Sequence, residues 1–151
     1  MRTVQDILNS KPKAFNTIQP DARVIDALGM LNAVNLSYLI VMDGGEYKGI
    51  FCERDYSRNV ILKGRNSDST TVKEVMTVDL PIVQLKDTVE HCMNVMNSYK
   101  TRYLLAYSDD KFTGVITIHD LLRQVIMNKE SVFDNTAASK LIDQEESGKV
   151  Y

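Results

Sequence analysis

Two stretches of the chain read alike: "GIFCERD", from Gly49 to Asp55, and "GVITIHD", from Gly114 to Asp120. Each opens on glycine, runs through apolar residues and closes on aspartate, and the two lie 65 residues apart. At that offset "IQPDARVIDALGMLNAVNLSYLIVMDGGEYKGIFCERDYSRNVIL" lies over "VQLKDTVEHCMNVMNSYKTRYLLAYSDDKFTGVITIHDLLRQVIM" without a gap. Gln19/Gln84, Val24/Val89, Tyr38/Tyr103, Leu39/Leu104, Arg58/Arg123, Val60/Val125 and Ile61/Ile126 are identical pairs, and apolar positions elsewhere mostly fall on apolar positions. Self-similarity at a fixed period is the mark of a repeated supersecondary unit. The chain is two copies of one unit.

Each copy has the same rhythm. Val24, Ala27, Leu28, Leu31 and Val34 recur at helical spacing, as do Val89, Cys92, Met93, Met96 and Tyr99, which predicts an amphipathic helix early in each copy. Two apolar runs then flank a turn pair, "YLIVMD" and "YKGIFC" around Gly44-Gly45, "YLLAYS" and "FTGVIT" around Asp109-Asp110, the pattern of a β-hairpin. A second helix starts at the shared aspartate. With a short strand at "NTI" or "PIV" ahead of the first helix, each copy is a β-α-β-β-α unit. The polar, glycine-containing "KGRNSDSTT" reads as a linker, and it leads into "VKEVM", a likeness of "VQDIL" at Val4 to Leu8. The expected domains are residues 1–66, residues 67–130, and a tail or short helix over 131–151 starting near Asn135 or Thr136.

Bulk composition narrows the function classes. A chain of 151 residues with 44% hydrophobic and 25% charged residues and three prolines is neither disordered nor fibrous. A net charge of -2 provides no field to gather nucleic acid or an anionic membrane, so neither is expected as a partner. Cys52 and Cys92 form no C-x-x-C pair and no disulfide framework, and no export signal or membrane-spanning run is seen, so a cytoplasmic location is the default expectation. His91 and His119 have no metal-ligand spacing, and phosphate-binding G-x-x-x-x-G-K-[ST] and G-x-G-x-x-G loops are absent, which disfavours an enzyme.

The doubled G-h-h-x-x-x-D motif at a strand-to-helix junction, following a hairpin each time, resembles a tandem pair of CBS domains, named for cystathionine β-synthase. The likeness runs from Val4 to about Lys129, and "ERDYSRNVILKGR" with "KEVM" further resembles a stand-alone bacterial and plant-organellar subgroup. The resemblance implies an α/β (α+β) fold of two β-α-β-β-α units packed sheet to sheet with pseudo-twofold symmetry, usually as a homodimer. It also implies a regulatory ligand containing adenosine, such as AMP, ADP, ATP, NAD(H) or S-adenosylmethionine, with no metal required and with an unknown regulated protein as partner.

By the same resemblance, Thr117 and Asp120 hold a ribose, Arg54, Arg102 and Tyr103 lie near phosphates, and Ile18, Ala22, Ala27 and Ile50 face adenine. A carboxylate suits vicinal hydroxyls and an arginine fork suits phosphate oxygens. The second cleft would use Asp55, Cys52, Ser37, Tyr38, His119 and Val83. It is the poorer one, because a thiol replaces the expected hydroxyl and Ser37 and His119 stand where the first cleft has Arg102 and Arg54.

Each residue also has an ordinary structural explanation. Asp55 and Asp120 stand at helix starts, where aspartate serves as a cap. Gly49 and Gly114 can serve the hairpin geometry alone. Two other functions stay open: a structural dimerisation module with vestigial clefts, and a thiol redox sensor at Cys52, which would need an exposed, activated thiolate.

Overall fold

A computed structural model describes residues 2–12, 16–34 and 36–127 of the chain. The expected tail or helix over 131–151 lies outside them. The described elements run α1 (Val4–Asn9), β1 (Thr17–Ile18), α2 (Val24–Val34), β2 (Tyr38–Asp43), β3 (Glu46–Cys52), α3 (Glu53–Tyr56, continuing as a π-helical turn over Ser57–Ile61), α4 (Val72–Val75), β4 (Ile82–Gln84), α5 (Val89–Tyr99), β5 (Tyr103–Ser108), β6 (Lys111–Thr117) and α6 (Ile118–Met127). This is the doubled α+β arrangement that the repeat predicts.

The described strands form two three-stranded sheets of the same design, ordered β1-β2-β3 and β4-β5-β6. In each, the short first strand pairs in parallel with the second, and the second pairs antiparallel with the third. The hairpins turn where the left-handed region is needed: Gly44 and Gly45 have φ of 58° and 86°, and Asp109 has φ of 53°. Both hairpins carry a bulge at the same repeat position, after Val41 and after Ala106, so that Lys48 and Thr113 are the extra residues.

The compact units in space are not the contiguous halves of the sequence. One unit is Ala14–Asp79; the other joins Met1–Lys13 to the chain from Leu80 onward. Backbone hydrogen bonds explain the exchange. Val4 N and Gln5 N donate to Asp87 O and Leu85 O, and Val89 N donates to Arg2 O, so α1 docks on the turn between β4 and α5. Likewise Val72 N and Lys73 N donate to Ala22 O and Pro20 O, and Val24 N donates to Thr70 O, which docks α4 on the turn between β1 and α2. The apolar faces follow: Val4 and Ile7 are buried with Val89, Met93, Leu104 and Leu121, while Val72 and Val75 are buried with Val24, Leu31, Val41 and Phe51.

The helical periodicity is largely realised. Ala27, Leu31, Cys92, Met93 and Met96 are buried. Tyr99 departs from it, lying exposed at the end of α5, where the following Lys100 takes a left-handed φ of 52° as cap. Ile61 and Ile126, an identical repeat pair, are exposed as well, together with Leu62 and Met127 beside them.

Gly49 serves a purpose the hairpin reading misses. It lies inside β3, away from the turn, and a Cβ there would meet Met76 Sδ and the carbonyl oxygen of Thr77, each at 2.8 Å. The chain leaving α4 crosses β3 at that point, held by Ile50 N to Thr77 O (2.9 Å) and Thr77 N to Ile50 O (2.8 Å). Only glycine permits this approach. The crossing sets Thr77 over the strand-to-helix junction that contains Asp55.

Candidate functional site

The junction between β6 and α6 gathers four of the predicted residues at one strand end. Thr117 closes β6 opposite Tyr103 in the ladder, and Ile118 N donates to the carbonyl of Arg102 at 2.9 Å. Thr117 and Asp120 cap the helix reciprocally: Thr117 N donates to Asp120 Oδ2 at 2.9 Å, and Asp120 N donates to Thr117 Oγ1 at 3.2 Å. The capping explanation is therefore correct as geometry. It is incomplete as chemistry, because a cap is normally solvated and here both residues are buried, Asp120 at 5% exposure.

A residue that the sequence reading did not select completes this junction. Lys11 Nζ donates to Asp120 Oδ2 at 2.8 Å and to Val115 O at 2.9 Å. Arg123 approaches the other oxygen, Oδ1, only at 3.5 Å. Lys11 sits just past α1, and its backbone N–H is tied to Leu8 O. The docking of α1 therefore brings a cation to the carboxylate.

The equivalent junction, between β3 and α3, is built differently. Cys52 pairs with Tyr38 and caps α3, and its N–H and Sγ both approach Asp55 Oδ2, at 2.9 and 3.4 Å. Thr77 Oγ1 donates to Asp55 Oδ1 at 2.7 Å. Burial pushes the Asp55 carboxyl above its usual range, against the opposing pull of the Thr77 and Cys52 hydrogen bonds and of the Arg54 charge. Burial and the neighbouring Asp55 carboxylate in turn push the Cys52 thiol up to about 11. A thiolate is the reactive form, so this is the opposite of an activated redox cysteine.

The other predicted residues fall in two groups. Ala27 and Val83 belong to the cores of their own units, and Ile18 and Ile50 are also buried, whereas Ala22 is half-buried. Arg54 is half-buried on α3 next to Asp55, Ser37 is exposed just before β2, and His119 is exposed between two buried neighbours. Two surface clefts within single units, of about 350 Å³ beside Gln19, Asp43 and Lys73 and about 170 Å³ beside Gln84 and Asp109, include none of the predicted site residues. Among the described residues no group of three or more His, Cys, Asp or Glu side chains is placed to hold a metal ion. Among them, too, no helix is long and apolar enough to cross a membrane.

A doubled β-α-β-β-α unit with a buried aspartate at each strand-to-helix junction defines a tandem two-domain module. The chain belongs to the CBS domain family, whose model matches residues 4–61 and 72–127. Such pairs are typically regulatory. The CBS domain-containing protein CBSX3, mitochondrial, of Arabidopsis thaliana is 30% identical over 133 residues, covering 82% of this chain. The chain spans 65% of the length of that relative. A solved protein with CBS domains from Burkholderia ambifaria MC40-6 superposes with a TM-score of 0.78 at 32% identity, covering 87% of this chain and 99% of its own. CBSX2, solved in complex with AMP, shares the fold at a TM-score of 0.70 and 23% identity, covering 86% of this chain and 100% of its own.

Proposed function

We propose that the chain is a regulatory module that makes and breaks no bond, binds an adenine nucleotide (AMP, ADP, ATP or NAD(H)) and reports cellular energy or redox state to a protein it regulates. The observation that carries this reading is the junction of β6 and α6, where Asp120 is buried yet, among the described residues, Oδ1 has no donor closer than 3.5 Å. A buried, charged acceptor with spare capacity suits the hydroxyls of a ribose. Arg102 and Tyr103, at the same strand end, are the phosphate contacts in this reading. Of the four apolar residues that the resemblance assigns to adenine, only Ala22 is partly exposed; Ile18, Ala27 and Ile50 are buried in their own unit. The AMP complex of CBSX2 supports the ligand class.

Association into a homodimer belongs to the same reading. Exposed Tyr99, Ile126 and Met127 are more apolar surface than a solvated helix end needs. The two buried free thiols suit a reducing compartment such as the cytoplasm. At the other junction, both oxygens of Asp55 are already engaged, which favours a weak or vestigial second site.

Isothermal titration calorimetry with AMP, ADP, ATP, NAD(H) and CMP tests the function. The adenine nucleotides should bind and CMP should bind much more weakly; equal affinity for AMP and CMP would refute an adenine site. Light scattering tests the assembly, and a particle of 17.1 kDa would refute the dimer.

A further inference from the structure

Lys11 reaches Asp120 across 109 residues of sequence, and its placement is fixed from both sides. The backbone at Ser10 and Lys11 closes α1 through Ser10 N to Ile7 O and Lys11 N to Leu8 O. The ammonium itself spends two of its three N–H groups, one on Val115 O and one on Asp120 Oδ2. Its side chain is 22% exposed, and no further bond of the ammonium is recorded among the described residues. On the carboxylate, Oδ2 is saturated by Thr117 N and Lys11 Nζ, while among the described residues Oδ1 has only the long contact from Arg123, whose side chain is 61% exposed.

The repeat contains its own control. Asp55 occupies the same position in the other copy and is equally buried, yet among the described residues no lysine meets it; a neutral hydroxyl, Thr77 Oγ1, takes that place at 2.7 Å. A buried aspartate at this junction therefore does not need an ammonium for the fold to form. Because a buried ion pair adds little net stability, structural support is a weak explanation for Lys11.

Resting on the adenine-nucleotide reading and deepening it, we infer that Lys11 and Asp120 form a two-sided clamp for a vicinal diol. One ribose hydroxyl donates to Asp120 Oδ1, and the oxygen of the neighbouring hydroxyl accepts the remaining N–H of Lys11. Lys11 is then a specificity-determining residue that restricts the site to ribonucleotides, since a sugar lacking either hydroxyl leaves a charged group unsatisfied.

The test is calorimetry on the full chain, wild type, Lys11→Met and Lys11→Gln, each with AMP, 2′-deoxy-AMP and 3′-deoxy-AMP, with thermal melts to establish folding. Wild type should prefer AMP over the deoxy analogue missing the lysine-bound hydroxyl by about ten- to hundred-fold, the range for one charged hydrogen bond. Lys11→Met should lose about that factor for AMP and bind the same analogue as well as it binds AMP. Lys11→Gln, which keeps an amide donor for Val115 O, reads the same ratio should the methionine variant fail to fold. A wild-type ratio retained in a folded variant, or AMP bound more tightly by it, would overturn the clamp while leaving the nucleotide reading intact. Wild type binding none of the three would overturn both.

Discussion

Thr77 Oγ1 donates to Asp55 Oδ1 across 2.7 Å, from a segment that has already left the repeat containing Asp55. The carboxylate it meets is buried against the preference of its charged form. A group whose folded pKa is raised holds its proton more tightly folded than unfolded. It therefore contributes stability at low pH, and that contribution is lost as pH rises from the unfolded aspartate value of about 4 through the raised folded value.

Asp55→Asn should accordingly be more stable than wild type at pH 7. The amide oxygen can still accept from Cys52 N, and the Thr77 hydroxyl can reverse to accept from the amide nitrogen. Urea denaturation at pH 7 and pH 4 reads the effect: the variant's advantage should shrink toward pH 4. An advantage that is absent, or the same at both values, would mean that burial of Asp55 costs the folded chain nothing.

Gly49 and Gly29 make opposite predictions for the same change. Gly49→Ala forces a Cβ against the Thr77 carbonyl, part of a backbone bridge that cannot swing away, and overpacking of this kind costs about 1–3 kcal/mol. Gly29 lies in α2, where a Cβ would meet no described residue outside its own helix backbone and chain neighbours within 4 Å. Gly29→Ala should stabilise by about 0.5–1 kcal/mol through the smaller entropy loss of alanine in a helix. A thermal melt in which Gly49→Ala does not lower the melting temperature would contradict the crossing of β3 by the chain after α4, and one in which Gly29→Ala does not raise it would contradict the open helix site.

The exchange of opening helices can be read out residue by residue. Ile7 is buried among residues of the second repeat, so Ile7→Ala should cost about 2–5 kcal/mol. Amide hydrogen exchange should accelerate across β4, α5, β5 and β6 while residues 17–61 keep their protection. Loss of protection in β1 to α3 instead would return α1 to the repeat that follows it in sequence.

The repeat offset of 65 was enough to place both hairpins, both long helices and the two buried aspartates, because these depend on local periodicity and on turn residues such as Gly44-Gly45. The exchange was not legible. A one-turn helix such as "VQDIL" shows an apolar face but carries no sign of which core receives it, and the decision is made by backbone groups at Asp87, Leu85, Ala22 and Pro20. Lys11 and Thr77 escaped for the same reason, since each serves an aspartate far away in sequence. One signal did point to them: the likeness of "VQDIL" to "VKEVM" runs at an offset of 68, so the copies differ in length just where these two donors sit.

That difference makes the two sites unequal. At Asp120 a ligand finds Oδ1 without a close donor among the described residues, beside the Thr117 hydroxyl and the Arg102 cation; at Asp55 it must displace Thr77 from one oxygen and finds a thiol in place of a hydroxyl. Displacing a formed hydrogen bond offsets most of what the new one contributes, so AMP should fill the Asp120 site first. Asp120→Ala or Arg102→Ala should weaken the tighter binding event by about ten- to hundred-fold, the loss of one charged hydrogen-bonding partner. Asp55→Ala should leave that event within about twofold, which is below the 0.5 kcal/mol scale of a neutral hydrogen bond. Thr77→Val, which clears Asp55 Oδ1 without changing side-chain shape, should strengthen any second, weaker event. Calorimetric titration of the four variants with AMP decides the order, and a greater loss from Asp55→Ala than from Asp120→Ala would reverse the assignment of the working site.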